Sequence, residues 1–69
     1  MMTIRLDEFW SQRLARLPES GMGYQKVNFF LKGNRVIENV TVLNAEECQT
    51  SERFDLADIV EVEICHQKE

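Results

Sequence analysis

Between residues 24 and 32 the sequence alternates. Val27, Phe29 and Leu31 fall on one side, and Lys26, Asn28, Phe30 and Lys32 on the other. A period of two marks an extended strand half-buried against a core; a helix would scatter the same residues around its axis. Phe30 is the one apolar residue on the polar side. Gly33-Asn34 follows, a pair suited to a two-residue hairpin turn. Residues 35–44 return as a second strand rich in β-branched residues, but Ile37 is out of phase with Val40 and Val42. A bulge near Glu38-Asn39 restores the phase and bends the strand. The chain is therefore built around a bent β-hairpin.

The flanks supply the other elements. Leu6, Phe9, Trp10, Leu14 and Leu17 recur at helical spacing, which predicts a helix over about 6–17. Asp7 and Glu8 near its start and Arg13 and Arg16 near its end suit the helix dipole, and Pro18 stops it. Residues 18–23 read as a loop, with Gly21 and Gly23 on either side of Met22. Residues 45–53 are polar, with a short strand expected around Cys48 to Thr50. Residues 54–58 suit one helical turn with aspartates offering local capping. Residues 59–65 alternate again: Val60, Val62 and Ile64 are expected to face one way, Glu61 and Glu63 the other. The polar tail, residues 66–69, is expected to fray.

These elements make one domain over residues 1–69, β-rich over 24–65 and mainly β (α+β) in class. Short strands with exposed edges are poorly stable as an open flat sheet. Two architectures fit: a small SH3-like β-barrel with the N-terminal helix over its open face, or a curled antiparallel sheet of four to five strands backed by that helix. Pairing of two edges in a homodimer would serve either.

Size and charge narrow the function. A 69-residue chain buries roughly 60% of its unfolded surface, which leaves little core to hollow into a deep pocket. Its 43% apolar and 29% charged residues are those of a folded domain. No apolar run reaches the ~20 residues that span a bilayer, and no apolar stretch follows Arg5. The expectation is a cytoplasmic protein without a signal peptide. Asn39-Val40-Thr41 matches a glycosylation acceptor, which has no meaning inside the cell. The net charge of −4 is uneven: residues 1–45 hold six Lys/Arg against four Asp/Glu, residues 46–69 two against eight. An acidic balance opposes nucleic-acid binding, although Arg13, Arg16, Lys26, Lys32 and Arg35 could form a small basic face.

The stretch Leu17-Pro18-Glu19-Ser20-Gly21-Met22-Gly23-Tyr24-Gln25 resembles that of a family of short uncharacterised bacterial proteins, in which an LPxSGMGYQ segment precedes a β-hairpin. Those proteins also end in an acidic turn and a last strand, as Asp58-Ile59 does here. The resemblance covers about residues 14–64. It implies a small, mostly β bacterial domain, and it brings no reaction, ligand or catalytic residue with it.

Few residues suggest chemistry. Cys65 and His66 are neighbours and point to opposite faces of a strand, so a nucleophile–base pair would need Cys48 with His66. Cys48, Cys65 and His66, with Glu46 or Glu47, could offer metal ligands, but the close pairing of structural zinc sites is missing. Both cysteines are expected as free thiols. Glu61 and Glu63 share a strand face and read as solvated charge guarding an edge. Gly21-Met22-Gly23 lacks the third glycine, the preceding strand and the following helix of a dinucleotide loop. Tyr24, Phe29 and Phe30 could stack on bases, but they lie on both faces of their strand.

Met22 and Tyr24 remain, beside two glycines. Methionine and tyrosine are enriched in interface cores. The sequence thus predicts a non-enzymatic module with no cofactor, binding a protein partner or itself through Met22, Tyr24 and Phe30. The competing reading is that Met22 and Tyr24 plug one end of the fold. A nucleic-acid-associated small barrel using Lys26, Lys32, Arg35 and Tyr24 is the alternative from another class, and a Cys/His metal or thiol protein is the third.

Overall fold

The computed structural model describes residues 1–65, so the 66–69 tail and His66 lie outside the described residues. The chain runs β1 (Met2–Arg5), α1 (Glu8–Ala15), β2 (Tyr24–Leu31), β3 (Arg35–Leu43), β4 (Glu47–Thr50) and β5 (Ile59–Ile64), with 3-10 turns at Lys32–Asn34 and Leu56–Asp58. The strands form one sheet in the order β1-β4-β3-β2-β5, with every pair antiparallel. The sheet does not close. Of the two expected architectures the molecule adopts the antiparallel sheet with a helix, and β1 and β5 are its edges.

One face of the sheet is the core. Val27, Phe29, Leu31, Ile37, Val40, Val42, Cys48 and Ile59 line it. Leu6, Trp10 and Leu14 cover it from the helix side, and Phe54 packs on Phe29 with ring centroids 5.4 Å apart. Asp7 caps α1 by accepting from the Trp10 N–H at 2.9 Å. The helix is shorter than the expected 6–17, because Leu6 continues the β1 ladder by donating to the Glu46 carbonyl at 2.8 Å. Phe9 faces out: its ring meets Trp10 edge-on at 5.0 Å and lies under the Arg13 guanidinium at 5.6 Å.

The expected bulge is present. Val27 pairs with Val40 and Phe29 with Ile37, so Glu38 and Asn39 together oppose Asn28. Asn39 takes a positive φ of 59°, and its N–H donates to the Asn28 Oδ1 at 2.9 Å. Besides the shorter helix and β1, which the sequence did not predict, other features depart from expectation. The Gly33-Asn34 hairpin has a three-residue connection, Lys32–Asn34, with Gly33 and Asn34 both at positive φ. The β3–β4 connection is also three residues, 44–46, with Asn44 and Ala45 both at positive φ and the Glu46 N–H donating to the Leu43 carbonyl at 2.9 Å. Val60 does not share a face with Val62 and Ile64. Leu31 pairs with Ile59 and Phe30 with Glu61, so Val60 is the extra residue of a second bulge and is 58% exposed.

Candidate functional site

The 17–25 segment is a wired turn. Gln25, at the start of β2, is buried, and its Nε2 donates to the carbonyls of Leu14 (2.8 Å), Leu17 (3.2 Å) and Pro18 (3.3 Å). Those carbonyls lie at and just beyond the C-terminus of α1, and the Leu14 carbonyl also accepts from the Leu17 N–H at 3.0 Å. One amide thus joins the helix end to the sheet. Ser20 and Gly21 both donate backbone N–H groups to the Tyr24 carbonyl, at 2.9 and 3.2 Å. Gly23, at φ 80°, offers its carbonyl to the Asn44 N–H at 2.9 Å. Ser20 also stands in for a strand. The Lys26 carbonyl accepts from Cys65 N–H at 2.7 Å, and the Lys26 N–H donates to the Ser20 hydroxyl at 2.9 Å.

This wiring separates the three sequence-predicted residues. Met22, at the tip of the turn, is 99% exposed and contributes nothing to the core. Tyr24 is 37% exposed and folds its ring over Gly21, where any side chain would collide with it. Phe30 lies on the same outer face of β2 as Tyr24 but six residues along, about 20 Å away at strand rise. Its neighbours are Val36 across β3 and Glu61 across β5. Tyr24 therefore belongs to the turn end of the sheet and half-buried Phe30 to the opposite end, where Val36 and Val60 are exposed.

A shallow groove of about 610 Å³ runs beside the turn, lined by Pro18, Ser20, Tyr24, Lys26, Ile64 and Cys65. It opens where β5 ends. Among the described residues no strand pairs with the outer edge of β5, a feature that sequence periodicity could not reveal, because strand order is a tertiary property. Cys65 N–H points to β2, and antiparallel alternation turns Glu63 the same way. The backbone N–H and C=O groups of Val62 and Ile64 therefore point to the free edge. Glu61 and Glu63 are exposed on the outer face, while Val62 and Ile64 are half-buried on the inner one.

The candidate chemical groups are not assembled. Cys48 is buried in β4 and Cys65 follows β5, with β3 and β2 between them in the sheet. The Cys48 thiol donates to the Ile4 carbonyl at 3.5 Å, and burial pushes its pKa up from 9.0 to about 11. Among the described residues, no group of three His, Cys, Asp or Glu side chains is placed to hold a metal ion. The basic residues have separate duties: Arg13 lies over the Phe9 and Trp10 rings, Lys26 Nζ donates to Thr41 Oγ1 at 2.8 Å, and Arg35 binds Glu52 and the Arg53 carbonyl. Among the described residues, no helix is long and apolar enough to cross a membrane. No family model, curated protein or solved structure matches the chain.

Proposed function

We propose that this chain is a small, non-enzymatic protein-interaction module that takes an extended segment of another polypeptide onto the free β5 edge of its sheet. The observation that supports it is that edge: two residues, Val62 and Ile64, direct their backbone groups outward from a strand with no further strand beside it among the described residues. An added strand gains main-chain hydrogen bonds for affinity and alternate side-chain contacts for specificity. Apolar residues flank the edge at both ends. Phe30, Val36 and Val60 lie at one, and the groove of Tyr24, Ile64 and Cys65 at the other. In this reading Met22, Tyr24 and Phe30 are end contacts along a linear site, not one patch. The proposed place of action is the cytoplasm, where both thiols stay reduced.

Affinity capture from the source cell tests the reading, with wild type run beside Val62→Pro. Proline there removes an outward donor and leaves the ladder to β2 intact. A partner held by the wild type and lost by the folded Val62→Pro variant is the expected result, with weaker retention by Met22→Ala. Equal retention by Val62→Pro would move the site elsewhere.

A further inference from the structure

We infer that the strand received by the β5 edge is β1 of a second copy of this chain, so that copies join head to tail through their two unlike edges; this rests on the edge-binding reading above. The free edge of β1 is the counterpart of that of β5. Leu6 N–H points to β4, so alternation turns the backbone groups of Thr3 and Arg5 outward. Side chains match as well. On β1, Met2 and Ile4 are half-buried on the inner side, and Thr3 and Arg5 are exposed on the outer. On β5, Val62 and Ile64 are half-buried on the inner side, and Glu61 and Glu63 are exposed on the outer. A sheet continued from one copy to the next lays apolar against apolar inside and Arg5 against Glu61 and Glu63 outside.

Both edges have room on the inner side. Beside β5 lies a groove of about 280 Å³ lined by Arg13, Arg16, Leu17 and Val62. Beside β1 lies one of about 470 Å³ lined by Ile4, Arg53, Phe54, Asp55 and Leu56. The arginine stems supply apolar surface there while their charged ends stay in water. Charge decides between pairings. Two β5 edges would set Glu61 and Glu63 against their own copies, and like charges directly opposite destabilise a strand pair. Arg5 meets Glu47 within its own chain at 3.5 Å, yet its side chain remains 75% exposed and available to a neighbour. A contact between unlike edges leaves one of each free, so it propagates to a ring or an open chain of copies.

The experiment is sedimentation velocity over a wide concentration range, on wild type, R5E, the E61K/E63K double variant, and the two variants mixed. Wild type should associate beyond a monomer. Each variant alone sets like charges together and should associate about tenfold more weakly or worse. The mixture restores both contacts and should recover wild-type association, as should R5E/E61K/E63K on one chain. R5E also faces Glu47 within the chain, so E61K/E63K, which leaves Arg5–Glu47 intact, gives the independent reading. A wild type that stays monomeric, unaltered association of E61K/E63K, or no recovery on mixing would overturn the inference. If the wild type is monomeric but holds a different protein that Val62→Pro loses, the edge-binding reading survives and only the second copy is wrong. If it holds nothing, both fall.

Discussion

Gln25 shows how a polar residue can be indispensable inside a core. Its buried amide shares two N–H donors among three carbonyls, and among the described residues no buried side-chain nitrogen or oxygen is left without a partner. Gln25→Leu keeps comparable bulk and removes the donors, so it should cost about 1–3 kcal/mol in denaturant unfolding, the cost of taking a buried donor away from partly buried carbonyls. Nothing in the sequence marks this role, because the carbonyls come from residues eleven, eight and seven positions earlier. The loop around Met22 was legible from its flanking glycines, but the choice between an exposed Met22 and one plugging the fold was not, and the structure exposes it. The fold-back of Tyr24 onto Gly21 was not legible either, since it depends on where the turn closes. Cys48 carries a second prediction. Its folded-state pKa is raised, so above pH 9 the unfolded chain loses the proton first. Relative to Cys48→Ala, stability should be level below pH about 9 and fall by about 2 kcal/mol as pH rises toward 11. At neutral pH a thiol reagent should modify half-buried Cys65 before Cys48.

The hairpin and its bulge follow from local pattern, and so does the short β4. β1 was missed because four residues carry too little periodicity; it becomes a strand only by pairing with β4. Val60 was misassigned for a related reason. A bulge resets the alternation, and a bulge is visible only against the partner strand. The Asn44-Ala45 turn is a third case. Two successive positive-φ positions in a hairpin connection favour Asn-Gly, yet Ala45 sits at φ 56°, a conformation that disfavours a Cβ. Ala45→Gly should therefore raise the melting temperature, adding about 0.5–1 kcal/mol once the entropy of glycine is subtracted. A melting temperature lowered by Ala45→Gly would mean that the half-buried methyl is worth more in packing than it costs in strain.

At the scale of the whole molecule, the two edges differ in sign: Arg5 on one, Glu61 and Glu63 on the other. Association between them should weaken as salt rises but persist, since screening removes the ion pairs and leaves the backbone ladder. A salt titration by sedimentation measures both parts. The Gln25 amide has one more consequence, in time rather than in energy. An eight-residue helix is too short to persist alone in water. With its last turn fastened to the first residues of β2, it has no independent way to open. Its amide protons should exchange with solvent only when the sheet itself comes apart, at the slow rate of the β2 and β3 protons, and Gln25→Leu should release the helix to exchange early while the strands remain protected.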